Sequence, residues 1–117
     1  MSNFRIAIVG QKEAIQGFAL LGVDIVPAHT GPEAAEALLR LKKEMFIDDA
    51  GRERSRYAIV FVTEDLASQL TAEDERKLSR GALPAISPLP SFRGSTGYAT
   101  ERLKRIVERA IGSNILQ

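Results

Sequence analysis

Residues 4–9 (FRIAIV) and 57–62 (YAIVFV) are short, nearly continuous apolar runs, and they restrict the fold more than any other feature of the chain. A strand with one wet face alternates apolar and polar residues. A run without that alternation suits a strand covered on both faces, as in a parallel sheet. Parallel strands cannot be joined by a tight turn, so each needs a crossover, usually a helix. Helical patterns duly separate the runs. Ala14, Ile15, Phe18, Ala19 and Leu21 fall near helical spacing from about residue 12 to 21, and Gly22 is placed to end that helix. Residues 23–26 read as a second strand, which Pro27 bars from continuing as an interior ladder. Thr30-Gly31-Pro32-Glu33 has the pattern of a capping box with an early proline. It opens a helix to about Met45 whose apolar face is Ala34, Ala35, Leu38, Leu39 and Leu41.

The polar, glycine-containing segment 47–56 (IDDAGRERSR) reads as an exposed loop. Thr63 is placed to cap a short helix to about Leu70, and Thr71 with Asp74 to begin another. Residues 85–87 form a last short strand between Pro84 and Pro88. Strand and helix alternate three times, then once more, which predicts an α/β fold with right-handed crossovers and a parallel sheet of four strands flanked by helices. The expected division is an α/β domain over residues 1–87, then a proline- and glycine-rich loop and a carboxy-terminal amphipathic helix over 88–117.

A chain of 117 residues supports one hydrophobic core. Its 16 Lys and Arg nearly cancel 15 Asp and Glu, so the +1 net charge gives no push toward nucleic acid or an anionic membrane. The absence of cysteine excludes disulfide scaffolds, thiolate zinc sites, cysteine nucleophiles and iron–sulfur clusters. The opening MSNFRIAIVG lacks the features of a signal peptide, and no apolar run approaches the roughly 20 residues that span a bilayer. The expectation is a cytoplasmic protein without direct membrane insertion.

Several segments invite a chemical reading. At the tip of the first strand only Gly10 of a three-glycine dinucleotide fingerprint is present, and Gln11-Lys12-Glu13 does not complete a P-loop. Gly10 reads instead as a tight turn. A phosphoacceptor receiver site would need acids where Gln11 and Lys12 stand, and an aspartate where Val62-Thr63-Glu64 ends the third strand. His29 has no partner carboxylate or second histidine at ligand spacing, and Asp48-Asp49 has no metal-binding pattern around it. Arg52, Arg54 and Arg56 lack the interleaved aromatics of a nucleic-acid surface, so a solvated loop is the better reading. Gly94-Ser95-Thr96-Gly97, ahead of the last helix, either caps that helix and turns the chain or holds an anion on its amides and hydroxyls. No catalytic residue, metal site or cofactor emerges. The alternative is a phosphate-ligand sensor or small α/β enzyme using the Gly94–Gly97 turn.

The final helix is the segment that asks for a partner. Leu103, Ile106, Val107, Ala110 and Ile111 fall at i, i+3, i+4, i+7 and i+8, while Glu101, Arg102, Lys104, Arg105, Glu108 and Arg109 cover the rest. Burying that stripe yields on the order of 7–13 kcal/mol before entropy. Ordering about 14 residues costs a comparable or larger amount. The helix therefore needs a platform, either the chain's own sheet or a groove or helix on a partner. Pro88, Pro90, Gly94, Ser95, Thr96 and Gly97 form the approach and would serve as loop or hinge.

Residues 83–116 (LPAISPLPSFRGSTGYATERLKRIVERAIGSNIL) resemble the carboxy-terminal third of the F subunit of V/A-type rotary ATPases. The matching places are Pro84, Pro88, Pro90, Gly94 to Gly97, Glu101, Arg102, Ala110, Ile111, Gly112 and Ile115-Leu116. FRIAIVG, Gly17-Phe18, Leu21-Gly22-Val23 and IVFVTEDLA extend the similarity over essentially the whole chain. The resemblance implies a small Rossmann-like domain with a mobile terminal helix. It implies a non-catalytic rotor subunit on the central stalk of a proton- or sodium-translocating ATPase or ATP synthase. Such a component would dock on the coiled-coil D subunit, with transient contact to the A/B hexamer where ATP reacts, and would help couple or regulate that reaction. The tail stripe would bury against the D subunit, the domain body or both, with Arg102, Arg105 and Arg109 as rim contacts. One departure stands out: residues 47–56 look longer than the family's usual connection there.

Overall fold

The computed structural model describes residues 4–90 and Arg105. Their core is a four-stranded parallel sheet in the order β2-β1-β5-β6, made of β1 (Arg5–Gly10), β2 (Asp24–Pro27), β5 (Tyr57–Thr63) and β6 (Ala85–Leu89). The expected α/β sheet is present in number, direction and placement of strands. Alternate residues of the two central strands enter opposite layers. Ala7, Val9, Val60 and Val62 face one layer, with Ala34, Leu38 and Leu41 of α2 (Gly31–Lys43), Leu66 of α3 (Glu64–Ala67) and Leu78 of α4 (Ala72–Leu78). Ile6, Ile8 and Phe61 face the other, with Ile15 of α1 (Lys12–Ile15), Val23 and Leu89. Both faces of β1 and β5 are thus dry, which is why neither strand needs polar alternation.

The helix read over residues 12–21 is only one α-helical turn, and Gln16–Leu21 continues as a 3₁₀ helix. Gly17 contributes here: an interior glycine costs about 1 kcal/mol of helix stability relative to alanine. Gly22 then closes the segment with φ +78°, a left-handed conformation that a side chain would strain. The next helix starts at Gly31 as its sequence indicates, with the Thr30 hydroxyl accepting from the Glu33 amide at 3.2 Å. Only half of the expected box forms, because the Glu33 carboxylate meets the Thr30 hydroxyl at 3.3 Å. The box at Thr71 and Asp74 is complete.

Two expectations are corrected. Residues 47–56 are not a loop: Met45–Ile47 (β3) and Glu53–Ser55 (β4) pair as an antiparallel hairpin, and α2 stops at Lys43 to feed it. Pro88 lies inside β6, opposite Val62, and not in a loop beyond the sheet. The edge position makes this possible, since a proline there costs no ladder bond if its nitrogen faces outward. The sheet therefore runs to Leu89, two residues past the expected boundary.

A polar knot closes the amino-terminal end of the sheet. Arg5 clamps Asp24 through Nη2 and through Nε at 2.8 Å, and the Tyr57 hydroxyl donates to the same carboxylate at 2.9 Å. The residues come from the start of three different strands. They meet because the β1–β5 register shifts between Arg5 and Ile6, setting two residues of β5 against one of β1. That shift turns Tyr57 into the same layer as Val60. The Arg5 contact holds the Asp24 carboxyl below its usual range, while burial and the Asp24 contact push the Tyr57 phenol up.

Because the Asp24 value is depressed in the folded state, its stabilisation is complete above the unfolded value near pH 4 and is lost as pH falls through the lower folded value. Asp24→Asn should reduce stability at pH 7 by about 1–2 kcal/mol, the partly exposed setting tempering the effect. Urea unfolding at pH 7 and pH 3 checks this. The wild-type advantage should shrink at the lower pH.

Candidate interaction surface

In open α/β sheets ligands sit beyond the carboxyl ends of the strands, where strand order reverses. Here the reversal falls between β1 and β5, which brings together Gly10 and Thr63. Gly10 has no room for a side chain of its own. A Cβ built on Gly10 would lie 2.6 Å from Thr63 Cγ2 and 2.8 Å from Ile15 Cγ2. Gly10 is therefore required for close packing, not for the tight turn expected of it, and it has no positive φ. Thr63 is buried and its neighbour Glu64 begins α3.

The adjoining start of α2 is similarly closed. The Gly31 amide donates to Gln69 Oε1 at 3.0 Å, and the Glu33 and Ala34 amides go to Thr30. The donors that could have faced an anion are satisfied internally, and His29 beside them is exposed. Among the described residues no group of three or more His, Cys, Asp or Glu is arranged to hold a metal.

The charged residues of the hairpin are also accounted for. Asp48 accepts from the Ala50 amide at 3.0 Å, the Arg52 amide at 2.9 Å and Arg54 Nε at 2.9 Å. These contacts, led by the Arg52 amide, hold its carboxyl below the usual range. Gly51, with φ +79°, completes the turn. Arg56 lies over the Phe46 ring at 5.1 Å, and Phe46 meets Phe4 edge-on at 5.8 Å. Asp48 is thus a turn-forming residue, and Arg54 and Arg56 brace the hairpin. Tandem polar residues around Ala50-Gly51 are the available signal, but without alternating apolar flanks they read equally well as a loop.

What the described surface does offer is apolar. Leu20 is 92% exposed, Ile47 64%, Met45 46% and Leu83 43%. Pro90 follows β6 directly and is exposed. Of the residues expected to bind a partner, Arg105 is helical and exposed. Leu103, Ile106, Val107, Ala110, Ile111, Arg102 and Arg109 lie outside the described residues, as do Gly94, Ser95, Thr96 and Gly97.

Comparison with known proteins identifies the kind of chain this is. Residues 6–107 match the family described as ATP synthase (F/14-kDa) subunit. The chain belongs to that family. It is 32% identical over 113 residues to the V-type ATP synthase F subunit of Fusobacterium nucleatum, covering 97% of this chain and 96% of that one. It is 29% identical over 113 residues to the A-type ATP synthase F subunit of Methanothermobacter thermautotrophicus, covering 96% of each. The structure of the V-type ATP synthase F subunit of Archaeoglobus fulgidus superposes with a TM-score of 0.57 at 19% identity, over 75% of this chain and 99% of that one. That superposition shows the shared fold. Membership of this family makes the chain an accessory subunit rather than a catalytic one.

The tight strand-end contact yields a prediction. Gly10→Ala should destabilise the protein by about 1–3 kcal/mol through overpacking, and Thr63→Ser in the same chain should recover part of the loss by removing Cγ2. Thermal unfolding of the single and double variants measures both. Equal stability of Gly10→Ala and wild type would contradict the packing described.

Proposed function

We propose that this F subunit is a non-catalytic rotor component on the central stalk of a V/A-type proton- or sodium-translocating ATPase or ATP synthase. Its docking partner is the coiled-coil D subunit, and it helps couple or regulate ATP hydrolysis or synthesis and ion transport. The observation that carries this reading is the family match over residues 6–107, reinforced by relatives named as the F subunit of V- and A-type ATP synthases.

The docking contact rests on the sequence of the tail. Leu103, Ile106, Val107, Ala110 and Ile111 make one apolar stripe, whose burial on a coiled coil is a helix-in-groove arrangement. Arg102, Arg105 and Arg109 flank the stripe as rim contacts, where charge affects association rate and register more than affinity. Pro88, Pro90 and Gly94 to Gly97 provide the approach. The exposed position of Arg105 and Pro90 is consistent with that assignment. The site of action is the cytoplasmic side of a membrane complex, with transient contact to the A/B hexamer; among the described residues no helix is long and apolar enough to cross a membrane.

Co-expression with the D subunit should give a one-to-one complex that survives size exclusion at micromolar concentration. Val107→Asp should weaken it by about 100-fold or more, because a carboxylate would be forced into the buried stripe. Separate elution of the two wild-type chains would defeat the proposal. So would submillimolar binding of ATP, ADP or phosphate that Ser95→Ala abolishes, which would assign the chain to a phosphate sensor instead.

A further inference from the structure

The β3–β4 hairpin carries large apolar side chains in solvent and has a free edge. Met45 is 46% exposed and Ile47 64% exposed, and alternation sets both on one face of β3, across from Ser55 and Glu53 of β4. The backbone bonds show which way β3 is turned. The Asp48 amide donates to the Arg52 carbonyl at 2.9 Å, and the Arg56 amide to the Glu44 carbonyl at 2.8 Å. Residues 44, 46 and 48 therefore turn their main-chain groups toward β4, and Met45 and Ile47 turn theirs outward. Among the described residues none of these outward groups has a hydrogen-bond partner. Edge strands are commonly guarded by a lysine, a proline or a bulge. β3 (MFI) contains neither residue, and its register is regular.

The sequence about β3 is complementary to itself when two copies run antiparallel. With Phe46 opposite Phe46 of the second copy, Met45 falls opposite Ile47 and Ile47 opposite Met45. The outward groups of each such pair can then exchange both N–H···O bonds. Continued outward, the same register puts Lys43 opposite Asp49 at both ends. Both are exposed, and neither enters an ion pair among the described residues. The remaining pair sets Glu44 against Asp48, but each acid is engaged within its own chain. Asp48 accepts from Arg54 Nε at 2.9 Å, and the Glu44 carboxylate lies beside the Tyr57 hydroxyl. A shift of two residues in either direction would set Ile47 against Lys43 or Met45 against Asp49, so one alignment is favoured.

We propose that the outer edge of β3 is a self-association site, where two copies of this chain join their hairpins into one antiparallel sheet, β4-β3-β3-β4, about a two-fold axis at Phe46. Met45 and Ile47 of both copies form one apolar cluster on the open face, and Lys43 meets Asp49 on either side of it. Two three-residue strands bury well under the roughly 1,000 Å² of a stable interface, so the dimer is weak and reversible. The site shares no residue with the tail stripe Leu103 to Ile111, so it stands or falls apart from the stalk docking.

The test is sedimentation equilibrium together with dilution of the ¹⁵N-labelled full-length chain between about 10 μM and about 1 mM. The chain should associate with a Kd on the order of 0.1–1 mM, and the amides of Met45 and Ile47 should shift with concentration. Ile47→Lys, at an exposed position, should abolish both effects while the dilute spectrum stays folded. Lys43→Asp should weaken association by about threefold or more, because like charges then meet at both ends, and adding Asp49→Lys should restore it. A monomer at about 1 mM would overturn the proposal. So would association that Ile47→Lys leaves intact, which would place the contact elsewhere, or a charge exchange that brings no recovery.

Discussion

The pairing of β1 with β5 is the constraint on which the rest of this structure depends. These strands lie about 50 residues apart in the chain, yet Ala7, Val9, Val60 and Val62 are all essentially inaccessible and form one continuous apolar plane. Such a pair gains nothing until the long connection is closed, and closing it has an entropic cost that only burial on both faces can offset. Both faces therefore have to be covered by the intervening segments. α2, α3 and α4 cover one face, and α1 with its 3₁₀ extension contributes to the other. The close approach of Gly10 to Thr63 and Ile15 completes the same pairing at its carboxyl end, while Arg5, Asp24 and Tyr57 complete it at the other.

That arrangement has a consequence for chemistry. The strand ends that host ligands in many α/β proteins are open because small residues leave room for phosphate. In this chain the room left by Gly10 is taken by a threonine methyl and an isoleucine, and the amides at the start of α2 are satisfied by Gln69 and Thr30. At Gly10 and at the start of α2 the described residues are therefore packed and hydrogen-bonded to one another.

The parts of this molecule legible in the sequence are those decided locally. The complete capping box at Thr71, the helix-ending Gly22 and the two-sided strands follow from backbone sterics and burial, which leave direct traces in residue type. The parts that are not legible depend on partners elsewhere in the chain. Gln16–Leu21 has helical spacing, but the chain winds there as 3₁₀ and leaves Leu20 in solvent. The hairpin at Met45–Ser55 is held by Asp48, by Arg56 over Phe46 and by Phe4 from the amino terminus, none of which shows in a strand-like apolar pattern. Pro88 resembles punctuation because its tolerance inside a strand depends on β6 being an edge, a property of sheet order that no single segment encodes. Site legibility divides along the same line: the lack of catalytic motifs is readable residue by residue, whereas the free edge of β3 exists only once β4 has paired with its other side, and Met45 and Ile47, which by spacing belong to a helix end and a loop, give no sign of it.

A contact made by a terminal helix and one made by an ordered sheet differ in character, and the difference bears on how such a subunit would be held. A terminal amphipathic helix binds through a broad apolar stripe whose cost is the ordering of its own backbone, so its affinity depends on what covers it in the free chain. The β3 edge belongs to a hairpin that is already ordered, so binding there requires little further loss of freedom, but only the main-chain groups of Met45 and Ile47 are on offer. A small contact on a rigid body and a large contact on a segment that must be ordered therefore answer to different variables, concentration for the first and the state of the free tail for the second.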